Sequence, residues 1–209
     1  IRKNGSTISM SEVKPYDVAT YDPISKVITL CDVRLSCVYE NAAPSPRAPA
    51  TINASGGNTF TVMANAMDSI AQYKLGQSFT LLFTADGQVA SAVTSGSGWN
   101  NGLWSSGVNV SGNAMGVVSG DTIKLIGTNV TLKVNAENAK KYAGQLVTVS
   151  SYTRGVMALN PLNLSSAAGS FEKSSMRLGS LFVIDSVKIF DRGYINGEVV
   201  IKEVALSSL

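Results

Sequence analysis

The stretch Leu75-Gly-Gln-Ser-Phe-Thr-Leu81, followed by Asp86-Gly-Gln-Val89, decides the fold class of this chain because it occurs twice. The second copy is Ala143-Gly-Gln-Leu-Val-Thr-Val149, followed by Arg154-Gly-Val-Met157. Both copies are rich in the β-branched and aromatic residues that are typical of strands, and Asp86-Gly87 is a strong hairpin signal. We therefore predict that residues 50 to 93 and 121 to 158 share one β topology.

A strand and a short helix are predicted before each copy. Asn58-Thr-Phe-Thr-Val62 corresponds to Asn129-Val-Thr-Leu-Lys-Val134, and each precedes a short segment that suits a helix. The segment Asp68 to Lys74 has room for about two helical turns, and Ala136 to Tyr142 is preceded by Asn135, a plausible N-cap. These patterns predict an all-β chain of two small OB-like or SH3-like β-barrel modules in tandem, each with one short helix.

The rest of the chain adds two further hairpins. Asp17 to Tyr21 and Lys26 to Leu35 should pair across Asp22-Pro-Ile-Ser25, and Ser186 to Phe190 should pair with Glu198 to Leu206 across a turn at Asp191 to Gly197. Two stretches favour irregular structure instead. Asn41 to Pro49, with three prolines, predicts an exposed loop, and Asn160 to Ser175 contains Pro161 and Gly169.

Composition shifts suggest the domain boundaries. Thr94 to Gly107 is rich in Gly, Ser and Asn, which favours a linker or a long loop. We expect a first module over residues 1–95, a linker over 96–107 and a second module over 108–209. Residues 176–209 either close the second module or begin a third one. The chain starts at Ile1 without a Met, so we expect a longer parent polypeptide.

The overall composition favours an exported β protein with a neutral polar surface. Hydrophobic residues make up 44% of the chain and charged residues only 15%. The formal net charge of +3 comes from scattered residues, with no basic stripe for a phosphate backbone. We therefore expect no nucleic acid partner. No run of residues reaches the roughly 20 apolar residues of a membrane helix, so we expect no membrane insertion.

Cys31 and Cys37 lie in the run Ile28 to Tyr39, which predicts a strand. Six residues of extended chain would separate the two sulfurs by roughly 20 Å, whereas a disulfide needs Cα atoms within about 7 Å. We predict that both thiols stay reduced and buried. A turn between them would overturn that reasoning, although Val33-Arg-Leu35 is a poor turn sequence.

The first module and the final hairpin resemble a known family. The residues that carry the likeness are Tyr16-Asp-Val18, the strand at Lys26 to Val33, the stretch Leu75 to Val89, and Val187-Lys-Ile-Phe-Asp191 with Leu206-Ser-Ser-Leu209. Together they resemble the β repeat domains of large cell-surface proteins of Gram-positive bacteria. Those proteins commonly carry S-layer homology modules elsewhere, and no such module is visible in these residues. The resemblance implies a structural role at the bacterial surface or cell wall.

Catalytic chemistry finds little support in the sequence. The chain has no histidine, so neither a Ser-His-Asp nor a Cys-His arrangement is possible, and no Cys/His cluster could hold zinc. The neighbours Ser25-Lys26 and Ser186-Val-Lys188 are expected to be surface residues. Carboxylates at Asp17, Asp22, Asp185 and Asp191 could in principle form a glycosidase pair. Asp22 and Asp191 suit turns better, because an Asp side chain accepts backbone hydrogen bonds there.

Trp99 and Trp104 are the candidate ligand or interface residues. Both lie in the polar Thr94 to Gly107 stretch, where an indole could stack on a sugar ring or dock against a partner. The alternative is that at least one ring is buried between the modules and fixes their angle. We favour burial, because tryptophans are rarely left fully exposed.

These observations together predict a non-catalytic structural or spacer segment of a secreted bacterial surface protein, with no cofactor and no metal. Its expected partners are neighbouring domains of the parent chain, copies of itself or cell-wall polysaccharide. Two alternatives stay open. One is a module that binds cell-wall or host glycans through Trp99 and Trp104, and the other is an accessory domain of a large extracellular enzyme.

Overall fold

The computed structural model describes residues 1–94, 98–100, 103–105, 110–164, 169–184 and 187–204. At 98–100, 103–105 and 198 it describes the backbone alone. The described part consists mostly of strands in small antiparallel sheets, with few helical residues, so the predicted all-β class is confirmed. Closure of the strands of either predicted module into a β-barrel stays a prediction.

The N-terminal residues form one small sheet. Its strands, in the order β2-β1-β4-β3, are β1 (Arg2–Lys3), β2 (Ser6–Thr7), β3 (Val18–Asp22) and β4 (Val27–Cys31), with a 3-10 helix at Met10–Glu12. The β3–β4 pair confirms the first predicted hairpin. Asp22 opens its turn as expected, because its carboxylate accepts the backbone N–H of Ile24 at 2.9 Å and the hydroxyl of Ser25 at 2.6 Å.

Six strands follow, and we call them the first repeat unit. They are β5 (Arg34–Val38), β6 (Asn41–Ser45), β7 (Ala48–Ala54), β8 (Asn58–Thr61), β9 (Ser78–Phe83) and β10 (Val89–Val93). A 3-10 helix at Ala64–Ala66 continues into α1 (Met67–Ile70) between the two hairpins. Strands β5 and β6 run one after the other, with β5 pairing with β9 and β6 with β7. A separate hairpin comes next, formed by β11 (Gly98–Asn100) and β12 (Leu103–Ser105).

The second repeat unit has the same succession of two hairpins with a short helix between them. Its elements are β13 (Met115–Ser119), β14 (Thr122–Leu125), β15 (Thr131–Lys133), α2 (Ala136–Lys141), β16 (Leu146–Thr153) and β17 (Val156–Pro161). Its sheet order is β15-β14-β13-β16-β17. In the first unit, β5 and β6 together take the place of β13, with β7 and β8 on one side and β9 and β10 on the other. The two hairpins predicted to repeat in residues 50 to 93 and 121 to 158 are confirmed, but the first unit divides them between two three-stranded sheets, whereas the second unit joins them in one five-stranded sheet.

The repeated Gly-Gln pair makes the same hydrogen bonds in both units. Gly76 donates its N–H to the carbonyl of Tyr39 at 2.7 Å, and the carbonyl of Gln77 accepts the N–H of Tyr39 at 2.9 Å. In the second unit, Gly144 and Gln145 bond Val118 in the same two ways, at 2.8 and 3.1 Å. Both glycines have positive φ, +85° and +69°, which most other residues resist. The motif therefore joins the end of each helix to the central strand.

One hydrophobic cluster serves both repeat units. It includes Leu35, Phe79 and Leu81 from the first unit together with Ile123 and Leu132 from the second. The cluster also contains Val147 and Val149 of β16, the counterparts of Phe79 and Leu81 in the repeat. The repeated apolar positions thus line a common interior, because each unit turns the same face of its sheet inward.

The remaining strands follow the second unit. They are β18 (Phe171–Glu172), β19 (Arg177–Leu178), β20 (Leu181–Phe182), β21 (Ile189–Ile195) and β22 (Glu198–Val204). Strands β21 and β22 form the predicted last hairpin, but the turn predicted at Asp191 to Gly197 is wrong. Strand β21 runs on to Ile195, and the chain turns at Asn196 and Gly197, both with positive φ. Asp191 lies inside β21 opposite Lys202 and opens no turn.

The prediction of irregular structure from Asn160 to Ser175 is only partly right. Strand β17 extends to Pro161, and β18 begins at Phe171, while residues 165–168 lie outside the described part.

The prediction of an exposed loop over Asn41 to Pro49 is wrong. This stretch forms β6 and the start of β7, with Pro46 and Arg47 in the turn between them. Strand β6 lies at the edge of its sheet, where a proline costs no ladder hydrogen bond. Proline content alone therefore could not decide between a loop and an edge strand.

The continuous strand predicted over Ile28 to Tyr39 is also wrong. Strand β4 ends at Cys31, β5 begins at Arg34, and the two strands belong to different sheets. Cys31 and Cys37 are nevertheless unbonded and buried, as predicted. Burial raises the pKa of Cys31 to about 11. Burial, followed by the charge of Glu40, also raises the pKa of Cys37.

We expect neither thiol to react with Ellman's reagent at pH 8 in the folded protein, because both are buried and protonated. In denaturant without reductant, two thiols per chain should react, and the Cys31→Ser variant should yield one. An absence of reactive thiols after denaturation would mean that a disulfide exists. Fast reaction of the native chain would contradict the burial.

Candidate functional site

Glu40 holds the two repeat units together through a buried carboxylate. Its Oε1 accepts the backbone N–H groups of Gly56 and Gly155, both at 3.0 Å, and its Oε2 accepts that of Gly57 at 2.8 Å. Gly56 and Gly57 form the β7–β8 turn of the first unit, whereas Gly155 forms the β16–β17 turn of the second. Arg154 adds a bond from its guanidinium to the Glu40 carbonyl at 3.2 Å. We call these five residues the inter-unit clasp.

The opposite pair of turns makes the reciprocal contact. Thr128, in the β14–β15 turn, donates its hydroxyl to the carbonyl of Thr84 at 2.8 Å, and Asn129 donates its N–H to the carbonyl of Ala85 at 2.9 Å. A Cβ on Gly87 would lie 3.3 Å from the backbone of Asn129, so these two turns approach closely. Gly87 and Gly155 are the matched glycines of the repeat. Each unit thus inserts its second hairpin turn against the first hairpin turn of the other.

A side chain of β8 also bonds the backbone of β15. The Asn58 amide oxygen accepts the N–H of Lys133 at 2.7 Å, and its amide nitrogen donates to the Lys133 carbonyl at 3.2 Å. The Asn58 side chain therefore bonds both backbone polar groups of Lys133, as a residue of a neighbouring strand would. The contact links the outer strands of the two units.

A second polar feature, the charged groove, lies where β5 begins. This groove of about 450 Å³ is lined by Lys14, Tyr16, Asp17, Asp32, Arg34 and Lys188, among others. Beside it, Lys3 Nζ lies 3.1 Å from a carboxylate oxygen of each of Asp17 and Asp32. Burial by itself lowers the pKa of Lys3, but the Asp32 and Asp17 carboxylates outweigh it and hold that pKa above its ordinary value.

Arg34 is fixed at the junction of the two units by its backbone. Its N–H donates to the Asn113 side-chain oxygen at 2.8 Å, and its carbonyl accepts the N–H groups of Asn113 and Ala114, both at 2.9 Å. In its side chain, by contrast, the buried Nε has no hydrogen-bond partner. Leaving such a donor unpaired costs about 1–3 kcal/mol.

The candidate residues Trp99 and Trp104 lie opposite each other in the β11–β12 hairpin. Their side chains lie outside the described part, so burial between the modules and stacking on a ligand both stay predictions. The structure separates the other candidates. Asp17 faces the charged groove, Asp22 caps a turn and Asp191 lies in β21, while Asp185 is outside the described residues.

Sequence reasoning missed both Glu40 and Arg34. Gly155 was identified through its match to Gly87, but no local pattern marks a glutamate 115 positions away as its partner. A lone Glu at the end of a strand, followed by a proline-rich stretch, gives no signal of burial. Arg34 reads as an ordinary strand residue for the same reason.

Comparison of the chain with protein-family models, with curated proteins and with solved structures gave no match. Across the described ranges, no helix is long and apolar enough to cross a membrane. No cluster of three or more potential metal-ligating residues occurs within the part of the chain that the structure describes.

The Glu40→Gln variant should unfold about 1–3 kcal/mol more easily than the wild type, because an amide offers one acceptor oxygen where three backbone donors need two. Urea denaturation followed by circular dichroism measures the difference. Glu172→Gln is the matched control, since Glu172 is exposed and, among the described residues, its carboxylate bonds only the Ser175 hydroxyl. Equal loss in both variants would contradict a special role for Glu40.

Proposed function

We propose that this chain is a non-catalytic structural segment that acts as a rigid spacer in a larger protein. The observation that carries the proposal is the reciprocal insertion of hairpin turns between the two repeat units, above one common hydrophobic cluster. Two structural units that contact each other at a single point can rotate about that point. Units that contact through two separate pairs of turns and a shared interior resist such bending, because any rotation breaks buried hydrogen bonds.

The chemistry of the clasp supports this proposal further. Glu40 is only 7% exposed, and its carboxylate bonds three backbone N–H groups from two units. Hydrogen bonds to an ionised acceptor are shorter and stronger than neutral ones. A buried charge also makes separation costly, since the carboxylate would lose all its partners at once. These properties suit a segment that must keep its shape under load.

The proposed setting is the outside of a bacterial cell. The resemblance to β repeat domains of Gram-positive surface proteins supports it, together with the low charged content of 15%. In this setting the partners of the chain would be neighbouring domains, further copies of itself or wall polysaccharide. The glycan-binding alternative depends on Trp99 and Trp104 and would be favoured by indole fluorescence that changes with added oligosaccharide.

Single-molecule force spectroscopy on a concatemer of the chain tests the mechanical proposal. We expect one dominant unfolding event for the two repeat units of each copy, because the units share an interior. Glu40→Gln should lower the unfolding force, whereas Glu172→Gln should leave it unchanged. Two separate events of similar size in each copy would contradict a single rigid body.

Protease treatment of intact producing cells tests the proposed location. We expect peptides of this chain to be released from the surface without lysis, while a cytosolic marker stays inside. Detection of the chain only after lysis would overturn the surface assignment and leave the mechanical proposal standing.

A further inference from the structure

The charged groove is lined by an arginine with one buried, unpaired side-chain donor. Arg34 lines the groove, its buried Nε lacks a hydrogen-bond partner, and no carboxylate of the described residues lies within ion-pair distance of it. Buried polar groups in native proteins nearly always have partners, and an exception calls for an explanation such as a missing ion. An arginine beside a groove is well suited to bind carboxylate or phosphate.

The two nearest carboxylates are already engaged. Asp17 and Asp32 also line the groove, but each holds Lys3 Nζ at 3.1 Å. Asp17 accepts the backbone N–H of Lys14 at 3.1 Å as well. Lys3 offsets one of these two negative charges, which reduces the repulsion of an anion near Arg34.

Two further lysines flank Arg34 along the groove. The side chain of Lys14 is exposed and forms no ion pair with a described residue, so it is free to contact a ligand in the groove. Lys188 contacts both oxygens of Glu203 at 3.2 Å, which leaves it less free. The cations that are free to meet a ligand are thus Lys14 and Arg34.

Tyr16 adds an aromatic side chain to the same groove. It lies in a tight turn in which Asp17 donates its N–H to the carbonyl of Lys14 at 3.1 Å, and its φ of +69° follows from that turn, where Pro15 precedes it. The turn places Tyr16, which is 36% exposed, at the wall of the groove.

We propose that the charged groove binds an oxyanion group, a carboxylate or a phosphate, with Arg34 as its principal contact and Lys14 as a second one. The backbone of Arg34 is held by Asn113 of the second unit, so the site is pre-organised by the same junction that joins the two units. The tyrosine ring beside it suits a ligand with an apolar face next to its anionic group, such as a uronic acid.

Titration of the isotope-labelled chain, followed by NMR of the backbone amides, tests the proposal. The probes are inorganic phosphate, glucuronate and, as the neutral control, galactose. We expect saturable shifts at Arg34, Asn113 and Asp17 with the two anions and none with galactose. Added sodium chloride should weaken the binding, because the charges are partly exposed.

The Arg34→Gln variant should bind glucuronate and phosphate at least about tenfold more weakly. Lys74→Gln removes the same charge from an exposed position outside the groove and should bind like the wild type. Lys14→Glu is a second test in case Arg34→Gln does not fold, because Lys14 is exposed and its substitution should leave the fold intact. This variant should also bind both anions more weakly.

The result also identifies the source of the anion. Tighter binding of glucuronate than of phosphate supports an acidic saccharide, and equal binding supports a free oxyanion. Shifts spread over all surface lysines, or unchanged affinity in both Arg34→Gln and Lys14→Glu, would overturn the proposal. Failure of this site would leave the proposed spacer function untouched, since that depends on Glu40.

Discussion

The buried carboxylate of Glu40 is the interaction on which the arrangement of the two units depends. Tight turns expose backbone N–H groups, and a turn that packs against another unit must find partners for them away from water. Glu40 supplies two oxygens to three such donors, two from its own unit and one from the other. One side chain thereby closes the β7–β8 turn and fixes the position of the β16–β17 turn against it.

The repeat explains why such a contact exists at two places. Each unit contains two hairpins in the same chain order, and in each unit the turn of the second hairpin packs against the turn of the first hairpin of the other unit. At the β7–β8 and β14–β15 turns, different groups supply hydrogen-bond partners for the turn of the other unit. The first uses the Glu40 carboxylate, whereas the second uses the Thr128 hydroxyl and the Asn129 N–H on the carbonyls of Thr84 and Ala85.

The same junction positions the charged groove. Strands β5 and β13 begin side by side, and Asn113 bonds the backbone of Arg34 on one side and the carbonyl of Asp32 on the other. Residues of the N-terminal sheet then add Lys3 and Asp17. The groove thus draws its charges from segments far apart in the chain. The contact between Arg34 and Asn113 therefore fixes the backbone of the groove against the start of the second unit.

The sequence by itself determined the local elements. The Asp86-Gly87 turn and the Asn135 N-cap, whose side chain accepts the N–H of Asn138 at 2.8 Å, depend on neighbouring residues and were predictable. Tertiary structure decided that Asn41 to Pro49 forms the edge strand β6 and the start of β7, and that β4 and β5 belong to different sheets. It also decided that the Glu40 carboxylate has partners and that Arg34 Nε has none. The reason is physical, since turn and cap energies come from a few adjacent residues, whereas sheet edges, burial and charge pairing depend on contacts between segments many residues apart.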